Sequence, residues 1–151
     1  MSATSDMAGC SSGVAKVFVR VQEGDDTFYL FSRKCDAVPD KHGRLELLGG
    51  NLDDEAPLAG AIRELQEEEP SGLLAGKLTA QRLVDRVVIE NLEHFVFLIS
   101  ISRAEYTGLR HNPAESLGFE LISEASLKEG KPPASFTRKT ELIFRALSAP
   151  P

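Results

Sequence analysis

Three glutamates, Glu64, Glu67 and Glu68, stand at i, i+3 and i+4 in the stretch GGNLDDEAPLAGAIRELQEEEPSG at residues 49–72. On a helix those positions share one face. Like charges held that close repel, at about 0.2–0.5 kcal/mol per pair, unless a positive group sits among them. A hard divalent cation meets that need: Mg2+ takes one or two carboxylates and completes its shell with waters and substrate phosphates. An acidic run on a helix is most often only its solvated face, and two neighbours set this one apart. The pair Gly49-Gly50 just upstream permits unusual backbone angles and close approach. Arg63, directly before Glu64, is a residue suited to holding carboxylates bidentately.

Taken together the segment resembles the Nudix box. That pattern is a glycine, five residues, glutamate, seven residues, Arg-Glu, an aliphatic, any residue, Glu-Glu, any residue, glycine and an aliphatic. Gly49, Glu55, Arg63, Glu64, Leu65, Glu67 and Glu68 fall on its specified positions. The late glycine falls on Pro70 and its aliphatic neighbour on Ser71, with Gly72-Leu73 restoring the pair further on. Leu48 stands where a proline commonly precedes the double glycine. Pro70 and Gly72 both close helices, so the expectation is a reshaped exit loop around an intact metal site.

The resemblance implies an α/β/α sandwich with a mixed β-sheet. It implies Mg2+- or Mn2+-dependent hydrolysis of the pyrophosphate in a nucleoside diphosphate linked to another moiety. It also implies roles: Glu64, Glu67 and Glu68 on the metal, Arg63 orienting them, Glu55 bracing the loop, and Gly49 and Gly50 against the substrate. In such chemistry the cation neutralises pyrophosphate oxygens while water attacks phosphorus, and a base must stand within hydrogen-bond reach of that water. Glu67 or Glu68 could serve; from a later loop Glu115 is the best-placed candidate, with Glu120 behind it. Arg33 and Lys34, closing a strand, and Arg82 and Arg86, four residues apart, are candidate phosphate contacts. His94 opens an apolar strand and is expected to be structural. No proline typical of ADP-ribose hydrolases, nor tyrosine typical of dinucleoside-polyphosphate hydrolases, occurs in Arg82–Asn91. The coenzyme A hydrolase signature is also missing upstream. Two alternatives stand beside the hydrolase: a non-catalytic Nudix-fold ligand sensor, and an interaction module whose acidic helix is merely solvated.

The elements that must position these residues follow from periodicity. Val17, Val19 and Val21 mark a β-branched strand, Val14–Val21, and Glu23-Gly24-Asp25-Asp26 turns it into a second strand over 27–32. A loop containing Pro39 and Asp40 leads to a short extended piece at Arg44–Leu48. Leu58, Ala61, Ile62 and Leu65 make an apolar stripe on a helix over Pro57–Glu69, stopped by Pro70. Ser71–Lys77 is expected as loop, Leu78–Ile89 as extended, and His94–Ser102 as a central strand. A polar loop over Tyr106–Gly118, a last strand at Phe119–Ile122 and an amphipathic helix at Thr137–Leu147 complete the chain. Hairpins mixed with helices that must cover sheet faces give an α/β sandwich.

A chain of 151 residues, 42% hydrophobic and 26% charged, is expected to form one globular domain over 13–151 behind a flexible polar leader at 1–12. The net charge of −6, without a lysine- or arginine-rich run, argues against nucleic-acid polymers and anionic membranes as partners. A phosphorylated small molecule is still compatible if a cation bridges the negative partners. Cys10 and Cys35 have no motif around them and are expected as reduced thiols in a cytoplasmic protein. The oligomeric state is left open, a homodimer included.

Overall fold

The computed structural model describes residues 12–35, 42–129 and 136–148. Its organising strand is β1 (Val14–Glu23), because the two faces of that strand serve two different cores. Ala15, Val17, Val19 and Val21 alternate onto one face and are fully or almost fully buried; Phe18 turns to the other. Along one edge β1 runs parallel to β6 (Leu92–Ser102), from Val14 beside His94 to Gln22 beside Ser102. Its other edge is divided. The first half pairs antiparallel with β4 (Leu48–Asn51), and the second half with β2 (Asp26–Lys34). Where β2 parts from β1 it pairs with β3 (Leu45–Glu46) and, on its far edge, with β7 (Ser116–Ser123). β5 (Leu83–Ile89) closes the other side against β6. The order is β3-β2-β1-β6-β5, with β4 and β7 joined to β1 and β2.

Helices cover both faces. α1 (Pro57–Glu68) lays Ala61 and Leu65 on the Ala15/Val17/Val19/Val21 face, with Phe95 and Phe97 of β6 alongside. α5 (Arg138–Ser148) covers the opposite face, where Phe31, Phe136 and Phe144 stack with centroids 5.0–6.0 Å apart. The expected α/β/α sandwich with a mixed sheet is therefore what the chain forms. Among the described residues no helix is long and apolar enough to cross a membrane. The expected leader, apart from Ser12, and the Pro39-Asp40 loop lie outside the described residues, as does Cys10.

The structure departs from the expected elements in three places. After Pro70 the chain forms a short helix α2 (Leu73–Lys77) instead of loop. Its cause is Glu69, which is fully buried and accepts backbone N–H groups from Ser71, Leu74 and Arg110. That carboxylate satisfies the turn's donors as an inserted capping group would. Ser102 and Glu105 form a capping box that starts α3 (Arg103–Thr107), a Ser-x-x-Glu signal overlooked in the sequence. Finally, Ala80–Arg82 is a 3-10 turn, so extended chain begins only at Leu83, and a bulge follows between Leu83 and Asp85. A shorter helix, α4 (Glu124–Lys128), follows β7.

Candidate active site

The fork of β1, β2 and β4 opens a cleft of about 190 Å3. β4 brings the double glycine to its rim, and α1 brings the carboxylates. Pro57 sits in the first turn of α1, and burial of Ala61 and Leu65 fixes the rotation of the helix. Glu64 and Glu68, four residues apart, then both line the cleft.

Each carboxylate lies against one glycine. The Gly49 N–H donates to Glu68 Oε1 at 2.7 Å. Gly49 has φ +119°, in the region L side chains rarely adopt, and a Cβ there would come within 2.0 Å of the Ala15 carbonyl oxygen. At Gly50 a Cβ would fall 2.7–2.8 Å from the Glu64 carboxyl atoms. The glycine pair is thus required twice, once by the neighbouring strand and once by the Glu64 carboxylate. Burial pushes the Glu68 carboxyl up to about 8 despite the Gly49 donor. Burial first, then the charge of Glu67, raises Glu64.

Arg63 ties the loop to the helix. Its guanidinium reaches Glu55 at 2.7 Å, Glu67 at 3.2 Å, Glu64 at 3.3 Å and the Asn51 carbonyl at 3.1 Å. Hydrogen bonding from Arg63, and then from the Asp53 N–H, holds Glu55 below its ordinary value. Glu67 is half exposed, pairs with Arg63 and does not line the cleft. Among the described residues no three His, Cys, Asp or Glu side chains are gathered as a metal-holding group. The donor set fits a cation held by two carboxylates, Glu64 and Glu68, one of them buried enough to resist ionising without a counter-charge. Two such ligands suffice for Mg2+ when phosphate and water supply the rest.

The loop before β7 supplies the far lip. Asn112 donates from Nδ2 to the Glu67 carbonyl at 2.9 Å and from its backbone to the Glu68 carbonyl at 3.3 Å. Its side-chain oxygen accepts the Ala114 N–H at 3.0 Å. Glu115 is thereby placed at the cleft. Asn112, which the sequence did not single out, is the residue that docks this loop on the end of α1.

Of the arginines expected at phosphates, none lines the cleft. Arg33 binds Glu120 at 2.6 Å and the Gly43 carbonyl at 2.7 Å; strand alternation sends Lys34, the next residue, into the cleft instead. Arg82 is exposed on the 3-10 turn. Arg86 is exposed too, over the Phe95 ring and paired with Glu93. The turn and the bulge break the regular alternation that would have set the two on one strand face. The cations present are Lys16, Lys34 and Lys139, accompanied by His94 and Glu46. Lys16 could have been noticed as a charge interrupting the apolar run Val-Ala-Lys-Val-Phe-Val.

Glu46 accepts from Lys34 at 3.2 Å. Burial opposes its charge, but Lys16 and Lys34 outweigh burial and hold the carboxyl below its ordinary 4.5. With the folded value below the unfolded one, this contribution to stability is full above the ordinary carboxylate range and is lost as pH falls through it. Glu46→Gln is therefore expected to destabilise the protein near neutrality, with the gap from wild type closing toward about pH 3 in urea unfolding. A gap unchanged across that range would contradict the pairing.

No protein-family model matches the sequence, and no curated protein does. Solved structures match it over most of its length. The Nudix hydrolase RenU of M. smegmatis aligns over 91% of this chain and 83% of its own, with a TM-score of 0.59 and 17% identity. A MutT/nudix family protein of Enterococcus faecalis aligns over 90% of this chain and 60% of its own, with a TM-score of 0.63 and 12% identity. The chain has the Nudix fold. A third match, the T. brucei protein MERS1 solved in complex with RNA, covers 79% of this chain and 53% of its own, with a TM-score of 0.54 and 14% identity. A shared fold carries different functions, so the activity must be argued from the cleft.

Proposed function

We propose that the protein is a Mg2+-dependent hydrolase that cleaves the pyrophosphate of a nucleoside diphosphate linked to another moiety. The observation that carries this reading is the pairing of Glu64 and Glu68 with Gly50 and Gly49 at the mouth of a polar cleft. Glu64 and Glu68 would hold Mg2+ or Mn2+, which supplies neutralisation of the pyrophosphate charge and activation of water. Arg63 keeps Glu64 oriented while Glu55 holds Arg63. Glu115, on the loop docked by Asn112, is the group we assign to take the proton from the attacking water. Gly49 and Gly50, on the substrate side of the cleft rim, let β1 and the Glu64 carboxylate pack close against the strand that faces the phosphates. Glu67 acts through Arg63 as a positioning residue.

A second reading is favoured by one feature: Glu67 turns to Arg63, and no three-ligand group forms among the described residues. Under it the cleft binds a phosphorylated ligand without cleaving it. A panel of nucleoside-diphosphate derivatives, incubated with Mg2+ or Mn2+ and assayed for released phosphate products, separates the two. The hydrolase reading expects cleavage that EDTA abolishes. Tight binding of panel members with no product would establish the sensor.

A further inference from the structure

One cation in the cleft has no task in the chemistry assigned above. Lys16 is 3% exposed and lines the cleft from β1. Its Nζ meets the Leu47 carbonyl at 3.5 Å, the outer limit of a hydrogen bond, and no ion pair links it to a carboxylate among the described residues. An ammonium carries three donors, so most of its bonding capacity is uncommitted. A buried charge in that state is expensive unless a partner arrives. The carboxylates of Glu46, Glu64 and Glu68 act on it from a distance. They offset its charge without occupying its donors.

Two further ammoniums reach the same cleft. Lys34 comes from the end of β2, braced by Glu46, and Lys139 from the first turn of α5, where it is exposed. The three come from separate elements, and the fork in the sheet is what assembles them. Among the described lining residues there is no phenyl, phenol or indole ring, and Val14 is the apolar side chain. Apart from the imidazole of His94, a residue only 7% exposed, a cleft of that make-up offers anion contacts and no aromatic face on which a nucleobase could stack.

We propose that Lys16, with Lys34 and Lys139, grips the phosphate chain of the substrate, and that the cleft recognises condensed phosphates and their esters with little regard for the attached base. Lys16 is the anchor because its donors are already dehydrated and directed into the cleft. Lys139 adds a weaker contact from the rim. The inference rests on the cleft being the pyrophosphate site, but it makes a separate prediction about which groups supply the affinity.

The test is calorimetric titration with imidodiphosphate, whose P–N–P bridge resists hydrolysis, with and without Mg2+. K16M is expected to weaken binding about tenfold or more, the loss of a charge-assisted hydrogen bond, in either condition. K139M is expected to weaken it about threefold, as befits an exposed contact. The α,β-methylene diphosphates of adenosine and uridine are expected to bind within about tenfold of one another. Wild-type affinity in a folded K16M protein would overturn the proposal, as would a base preference beyond about tenfold. If K16M does not fold, wild-type affinity in K139M overturns it instead. Binding that requires Mg2+ but ignores the lysines contradicts this inference and leaves the hydrolase reading standing. Lysine-dependent binding with no Mg2+ response and no phosphate release does the reverse.

Discussion

Replacing Glu68 with glutamine is expected to lower turnover by roughly 100- to 1,000-fold while the protein stays folded. Glutamine keeps an acceptor for the Gly49 N–H, so the 2.7 Å contact between helix and strand survives. What disappears is the negative charge, at a site buried enough to hold the carboxyl near 8 without a counter-ion. Glutamine should also raise stability in metal-free buffer near neutrality, because a carboxyl held near 8 in the fold must take up a proton that it does not carry when unfolded. Glu67→Gln is the control. Its carboxylate is half exposed and bonded to Arg63, outside the cleft lining, so a change of only a few-fold is expected. Steady-state rates on the best substrate, with unfolding curves for each variant, check both. Equal losses at Glu67 and Glu68 would mean that Glu67 swings into the cleft and the two-carboxylate site is mistaken.

The second large effect separates the two glycines. Gly49→Ala puts a Cβ 2.0 Å from a backbone oxygen of the neighbouring strand, at a φ of +119°. Backbone cannot step aside as a side chain can, so β4 must peel from β1. A cost of about 4 kcal/mol or more is expected, which lowers the unfolding temperature by about 10 °C or more in a domain of this size. Gly50→Ala meets instead the carboxyl end of Glu64, 2.7–2.8 Å away, which can move. Its stability should change by about 1 kcal/mol or less, whereas Mg2+-dependent activity should fall sharply because Glu64 is displaced. Thermal unfolding and activity on the same preparations would show the crossing pattern. Two variants that lose stability equally would contradict the assignment of separate neighbours to the two glycines.

The box residues were legible in the sequence because their geometry is local. A helix period sets Glu64 and Glu68 on one face, and the apolar stripe at Ala61 and Leu65 sets which way that face points. The β1–β2 hairpin, the central β6 and the terminal helix were legible for the same reason, each carrying its own periodicity. Lys34 was a candidate from its place at a strand end, but Lys16 and Lys139 were not legible, because the cleft is made by long-range pairing. Lys16, Lys34 and Lys139 meet only because β2 leaves β1 halfway and α5 returns to the fork. Arg33 and Lys34 show how fine the distinction is, since one step along a strand reverses the side chain's direction. Glu69 illustrates a different blindness. In sequence it is one more member of an acidic run, yet its carboxylate is fully buried beneath three backbone donors. Charge pattern gives no sign of burial when the partners are main-chain groups, here those of Ser71 and Leu74 nearby and of Arg110 on a distant segment.

The central claim is that a divalent cation binds between α1 and the glycine strand, and crystals grown with Mn2+ test it most directly. Anomalous scattering collected from them should show one strong peak in the cleft, within coordination distance of the Glu64 and Glu68 carboxylates. A cleft without a peak under saturating Mn2+, or a peak confined to the outer face beside Glu67, would contradict the account.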